Sequence, residues 1–443
     1  MGNSDDYPRV LIIGQTFDKS GGGITLANLF KGWPKDKLAV ASVEINTNEN
    51  SVCDNNYLLG CIETKRPWPF CLLQKNKYSG TYKINDFKKN QIIEWKKNNL
   101  RYYFIYIYLS LQHLFGIFYL LHRMIVSDKF IHWVNDFKPD LIYTQLEELR
   151  LIRFVNNLQM LTKKPIVIHI MDDWPTTIVK PGLFSSYWSN VIEKEFKELI
   201  SKSVALMSIC QAMSDEYELR YGRRFIPFHN PIDLSMWDGH SRTDWKVDKN
   251  IRILYAGRLG KVNLNSLIDI CEAVSDLKSE GYEIIFEIRT PEMYQENKKY
   301  FHKYKCVELN PYIKHNDIPN VLTKMDILII PLDFSERNIK FTRYSMPGKT
   351  SDYMASGTPV LVYAAPENAI VRYAKEGGWG YIVDQRGKDY LKIAFKELIT
   401  NTELRERLGK KAIELAFKNH DSNIVRRDFQ SLMRESVDHA KQL

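Results

Sequence analysis

The stretch "MPGKTSDYMASGTPVLV" (346–362) holds Gly348-Lys349-Thr350, the triplet with which phosphate-binding P-loops end. Such a loop wraps backbone N–H groups around phosphate oxygens and needs a glycine five residues before the triplet. Arg343 stands there, and the nearest strand-like run, "DILIIPL" (326–332), ends too early. That spacing excludes the P-loop. What remains is Pro347 to Thr350 leading into the helix-favouring run "TSDYMAS". N–H groups at a helix start attract anions. Lys349 adds a point charge, and Asp352, one turn in, is placed to accept hydrogen bonds from ribose hydroxyls. This is the chemistry of a nucleoside diphosphate site.

Three further segments carry chemistry. "AGRLGK" (256–261) follows a strand-like run, so Arg258 and Lys261 stand where a leaving pyrophosphate would rest. Arginine grips phosphate oxygens with two parallel donors and lysine supplies a compact charge. "KSGGGI" (19–24) has successive glycines, Gly22 and Gly23 among them, ahead of an expected helix. Its spacing is not that of a dinucleotide fingerprint, but it allows close backbone approach to a ligand. "HIMDDWP" (169–175) ends a strand with His169 inside it and Asp172 and Asp173 in the loop. The two aspartates read as catalytic or acceptor-side groups. His169 reads as a core histidine or an acceptor-side group.

These segments need a scaffold that brings strand ends together. "RVLIIG" (9–14) is a short β-branched run ending in glycine, and "ITLANLFKGW" reads as a helix. "LAVASVEI", "DLIYTQ", "PIVIHIMDD", "ALMSIC" and "RRFIPFHNPID" follow as strands with helices between several of them. The polar stretch 238–250 reads as a linker, and a second alternation runs from "IRILYAGRL" (251–259) to "GYIVD" (380–384). Strand–helix alternation predicts parallel sheets with helices on both faces. Ligands in such sheets bind beyond the carboxyl ends of the strands.

"GGGITLANLF", "HNPID", "ILYAGRLGK", "PYIKHNDIPNVLTKMDILIIPL" and "PGKTSDYMASGTPVLV" occur in an order that resembles GT-B glycosyltransferases of family 4. The resemblance covers nearly the whole chain and is strongest over 251–385. It implies an α/β protein with two Rossmann-like, doubly wound parallel-sheet domains facing across a cleft. Residues 1–240 would form the acceptor domain and 241–420 the nucleotide-sugar domain, with 421–443 returning to the first. It implies a retaining transfer of a sugar from a nucleotide-sugar to a saccharide or polyprenyl-linked acceptor, without metal or other cofactor. Arg258 and Lys261 would neutralise the diphosphate, the backbone of Tyr312 and Ile313 would read the base, and Pro347 to Thr350 would cradle the phosphates. Asp352 would stand where the family has a ribose-binding Glu. Tyr344 stands where the family often has a second Glu, and Met171 where it often has a His.

The bulk numbers agree with a large folded enzyme: 443 residues, 44% hydrophobic and 26% charged, with a net charge of +9. Length favours two or three domains. Six scattered cysteines at no metal-ligand spacing read as reduced thiols in the cytoplasm. The expected place is the cytoplasm, including the inner face of the plasma membrane, and no nucleic-acid partner is expected. Between Glu63 and Arg101, ten Lys or Arg stand against three acids, and residues 102–121, "YYFIYIYLSLQHLFGIFYLL", follow at once. That apolar stretch reads as a core or interdomain helix, as a helix docked on lipid, or as a span. Pathway expectations point to bacterial surface polysaccharide synthesis. A sugar-nucleotide epimerase or hydrolase using Asp172 and His169, and a catalytically silent membrane scaffold, are the alternatives.

Overall fold

The computed structural model describes residues 7–17, 21–46, 52–64, 66–68, 78–84, 99–291 and 297–442. Residues 18–20 of the glycine segment, most of the basic run and Cys71 lie outside them. The chain divides into two compact units, 1–228 with 426–443, and 229–425.

The first unit is built on an eight-stranded sheet: β1 Val10–Ile13, β2 Leu38–Ser42, β3 Asn55–Leu58, β4 Gly80–Tyr82, β5 Leu141–Thr144, β6 Ile166–Ile170, β7 Ser203–Ser208 and β8 Ile226–Pro227. Their order is β4-β3-β2-β1-β5-β6-β7-β8, parallel except where β3 meets β4. β1, β2, β5 and β6 are buried along their whole length, which is why they read as unbroken apolar runs rather than alternating ones. The chain builds outward from β1 to β4, then returns to β5 on the other side of β1. That reversal leaves a switch point between β1 and β5, where a crevice opens at the strands' carboxyl ends. The end of the chain belongs here: Phe429 packs edge-on against Phe30 at 5.1 Å, and Arg426 donates to the carbonyl of Asn28.

The second unit carries β9 Ile251–Ala256, β10 Ile284–Thr290, β11 Val307–Pro311, β12 Ile327–Pro331, β13 Val360–Tyr363 and β14 Gly380–Val383. All are parallel, in the order β11-β10-β9-β12-β13-β14. Its switch point lies between β9 and β12.

Several expectations are corrected. The stretch 238–250 is no loose linker. Trp245 is buried and donates to the carbonyl of Gly357, and Arg242 reaches the carbonyl of Met325. An aromatic ring and a forked cation tie this polar segment to the second unit. The strand expected in "RRFIPFHNPID" shrinks to β8, two residues long. Strands β3 and β4 were not foreseen, because "NNYL" and "GTY" are too short and polar to stand out. Residues 102–121 form no single helix: Asn99–Leu114 and Phe118–Leu121 are separated at Gly116, whose φ of 66° suits glycine. None of the described helices is long and apolar enough to cross a membrane. The five described cysteines are free.

Candidate functional site

The second unit's switch point gathers the segments singled out for phosphate chemistry. β9 ends at Ala256 and the chain turns through Gly257 and Arg258 into the helix Leu264–Ser279. The turn is held from beneath. The Tyr255 hydroxyl donates to the carbonyl of Arg258 at 2.6 Å, while Asn263 Nδ2 donates to both that hydroxyl (2.7 Å) and that carbonyl (2.9 Å). Asn263 Oδ1 accepts from the N–H of Gly260 at 3.0 Å. Backbone shape is therefore fixed, while the Arg258 and Lys261 side chains remain exposed.

The segment 346–350 meets this turn. Lys349 Nζ lies 3.6 Å above the centre of the Tyr255 ring. A Cβ on residue 257 would fall 2.5 Å from that nitrogen, so the ammonium occupies the place that glycine leaves vacant. Tyr353, in the helix Thr350–Ser356, accepts from the N–H of Ala256 at 2.9 Å and fixes the two segments together. Burial pulls Lys349 down to about 7 and pushes Asp352 up to about 7. Both side chains nonetheless keep part of their surface open to solvent. Among the described residues no carboxylate forms an ion pair with Lys349. A desolvated cation with a π face below it and no anion beside it is prepared to receive one.

The remaining donor-side residues divide. Tyr312 is exposed just beyond β11, whereas the Ile313 side chain is core, leaving only its backbone for recognition. Gly348 is exposed and Pro347 half-buried. The N–H of Thr350 is already spent on the carbonyl of Pro347 at 2.9 Å, so it does not face outward as the sequence suggested. Thr350 Oγ1 is buried and without a hydrogen-bond partner. The following helix has only seven residues, so charge at this site rests on side chains more than on the helix dipole.

In the first unit, the helix Gly21–Phe30 begins within the glycine run rather than after it. Gly22 and Gly23 line a recess of about 190 Å³ at the β1/β5 switch point, together with Gln15, Glu44, Glu147 and Glu148. Gly14 closes its floor at φ 95°, with Leu151 packed against it. Burial raises Glu147, whose Oε1 accepts from Gln15 Nε2. Sequence reasoning missed these glutamates, which stand in "VEI" and "QLEEL" without any motif spacing. Carboxylates accept from hydroxyl groups and repel phosphates, so this lining fits a polyhydroxyl ligand better than a diphosphate.

The "HIMDDWP" residues do not converge on a surface. His169 is 1% exposed, its Nδ1 2.8 Å from the Tyr143 hydroxyl, and burial pulls it down to about 3. It is a core histidine here and offers nothing to an acceptor. Asp173 is 5% exposed and consumed by structure: Tyr217 Oη and Arg220 Nη1 donate to Oδ1 at 2.8 and 3.0 Å, and Thr176 donates to Oδ2. Asp172 alone is exposed on the loop. Among the described residues no group of three or more His, Cys, Asp and Glu is placed to hold a metal ion.

Comparison with known proteins agrees with this geometry. Residues 250–401, which contain the whole Gly257–Lys349 arrangement, match the family model for glycosyl transferases group 1. Among curated proteins no sequence matches the chain. Among solved structures, Anabaena HepE in complex with UDP is 12% identical with a TM-score of 0.60, covering 96% of this chain and 100% of its own. A Rickettsia africae glycosyltransferase is 13% identical with a TM-score of 0.58, covering 97% and 99%. Sucrose-phosphate synthase from Thermosynechococcus elongatus is 12% identical with a TM-score of 0.59, covering 96% and 98%. Residues 250–401 are therefore a group 1 glycosyltransferase domain, carried by a chain of the GT-B fold.

Proposed function

We propose that the protein transfers a sugar from a nucleotide-sugar to a saccharide or lipid-linked acceptor, with retention at the anomeric carbon and without a metal. The observation that carries this reading is the unpaired, desolvated Lys349 ammonium seated over Tyr255 against Gly257, with exposed Arg258 next in the chain. As the glycosidic bond breaks, negative charge grows on the leaving diphosphate. Fixed cations there stabilise the transition state more than the ground state. Asp352 would take the ribose hydroxyls. The recess lined by Glu44, Glu147 and Glu148 is suited to acceptor hydroxyls. Work at the cytoplasmic face of a membrane, in assembly of a surface polysaccharide, fits a lipid-linked acceptor.

A thermal-shift screen against UDP, GDP, ADP and dTDP tests the donor site. UDP comes first because structurally similar HepE was solved with UDP and with UDP-glucose. A ligand that binds only the folded chain raises its stability by RT ln(1 + [L]/Kd), about 2.7 kcal/mol at a hundredfold excess over Kd. The expected result is a rise with one nucleotide that is lost in Arg258→Ala. No rise with any nucleotide would overturn the reading.

A further inference from the structure

The recess at the β1/β5 switch point carries more negative charge than the fold around it explains. Three carboxylates reach it from two strand ends: Glu44, two residues beyond β2, and Glu147 and Glu148, beyond β5. Glu148 has a structural reason. It stands at the start of the helix Leu149–Thr162 and accepts from Arg150 Nε at 2.5 Å, so a helix dipole and a guanidinium both offset its charge. Glu147 is met only by the neutral amide of Gln15. Glu44 is exposed where it lines the recess, and its carboxylate has no hydrogen bond or ion pair among the described residues. Burial raises Glu147 most, and the charges of Glu148, Glu44 and Asp172 raise it further. Like charges held together by a fold disfavour one another. A cation seated between Glu44 and Glu147 would relieve that repulsion.

The rest of the lining indicates what kind of cation. Thr16 is only 5% exposed, yet its hydroxyl forms no hydrogen bond among the described residues and is not sealed away from solvent. The surface it keeps opens on the recess that it lines. An unsatisfied hydroxyl at that depth awaits a ligand that can both donate and accept. Gly22 and Gly23, in the first turn of the helix Gly21–Phe30, add backbone with no side chain in the way. A Cβ on Gly22 would meet only Gln15 Oε1, at 3.8 Å. A bare metal ion does not suit the site, since among the described residues no three His, Cys, Asp or Glu side chains are placed to hold one. An ammonium on a hydroxylated ring does. The recess of about 190 Å³ is the space of roughly six water molecules at about 30 Å³ each, the scale of one sugar ring.

We propose that the recess binds an amino-sugar residue of the acceptor, a hexosamine whose free ammonium sits between Glu44 and Glu147 while its hydroxyls meet Thr16 and Gln15. The inference rests on the reading of this recess as the acceptor side. It is tested without nucleotide-sugar, so a failed nucleotide shift and a failed amino-sugar titration are separate results. Saturation-transfer NMR titrations of the full chain compare glucosamine with three probes. N-acetylglucosamine and glucose keep the ring and lose the charge, and cyclohexylamine keeps the charge and loses the hydroxyls. The test variants are Glu44→Gln and Thr16→Val, each checked by its melting temperature and by its nucleotide thermal shift. Glucosamine should bind about tenfold or more tightly than each of the other three. Glu44→Gln should weaken glucosamine about tenfold and leave N-acetylglucosamine unchanged, and Thr16→Val should weaken all three sugars. No binding of glucosamine, equal binding of its N-acetyl form or of cyclohexylamine, or undiminished glucosamine binding by either variant when it melts like the parent would each overturn the proposal.

Discussion

The ammonium of Lys349 sits 3.6 Å above the ring of Tyr255, in the space that Gly257 leaves by having no side chain. The lysine stands ninety-four positions after that tyrosine in the chain, and helix Thr350–Ser356 and strand β9 bring them together. The site is an arrangement of strand ends rather than a motif, and its cation is held ready without an anion.

Replacing Lys349 with Met should therefore trade stability for binding. The variant loses the cation, and nucleoside diphosphate affinity should fall roughly tenfold to a hundredfold, the range of one charge-assisted phosphate contact. Removing a desolvated charge should at the same time raise the melting temperature of the ligand-free protein, most at and below neutral pH, with the gain fading as pH rises from about 7 towards 10. Calorimetric titration and thermal melting of the same sample check both. A variant that binds normally would place the diphosphate elsewhere.

Gly257→Ala tests whether the vacancy matters. The new methyl would stand 2.5 Å from Lys349 Nζ and 2.9 Å from the Tyr255 hydroxyl. The lysine must move, so affinity should fall nearly as far as in Lys349→Met. In the double variant the alanine should add little, because two changes that act through one group are not additive. Full additivity would show that Gly257 acts by another route.

The two shifted groups at this site make opposite demands on pH. Asp352 is raised to about 7, so from about pH 4 to 7 the folded chain keeps a proton that the unfolded chain releases, and stability falls as pH rises. Lys349 is lowered to about 7, so from about pH 7 to 10 the unfolded chain holds the extra proton, and stability rises with pH. The ligand-free protein should show a local minimum in stability near neutrality, shallower in Asp352→Asn on its acid side and in Lys349→Met on its alkaline side. Diphosphate binding above pH 7 should take up a proton at Lys349 and weaken by at most about tenfold per pH unit. Titration calorimetry in buffers of different ionisation enthalpy measures that uptake.

The sequence disclosed the second unit well and the first less so. β9, β12 and β13 are short apolar runs bounded on one side by Gly or Pro, and "AGRLGK" and "PGKTSD" sit at the ends where a parallel sheet places its ligands. Their meeting depends on strand order, which local pattern does not encode, so Gly257 was not singled out. The linker reading failed because Trp245 and Arg242 are buried or anchored by partners far along the chain, Gly357 and Met325. Residues 102–121 were left between a core helix, a lipid-docked helix and a span, because hydrophobicity alone does not say what covers a helix, and several of the described ones, Tyr106, Leu111 and Phe115 among them, are exposed. Asp173 of "HIMDDWP" misled in another way. An aspartate beside a strand end resembles a catalytic group until its partners, Tyr217 and Arg220, come into view.

That last arrangement carries its own prediction. Asp173 is buried, and the Arg220 guanidinium at 3.0 Å and the Tyr217 hydroxyl at 2.8 Å compensate its charge. Removing the cation in Arg220→Ala leaves a carboxylate uncompensated in the interior, which should cost roughly 3 kcal/mol or more. Asp173→Asn keeps the shape but weakens the pair, and should cost less. Because these residues support the fold of the first unit, while the candidate donor site is built from residues of the second, nucleotide affinity of whatever fraction remains folded should stay unchanged in both variants. Denaturant unfolding gives the stability loss and calorimetric titration gives the affinity. If affinity fell in Asp173→Asn while stability held, Asp173 would belong to the working surface and not to the scaffold.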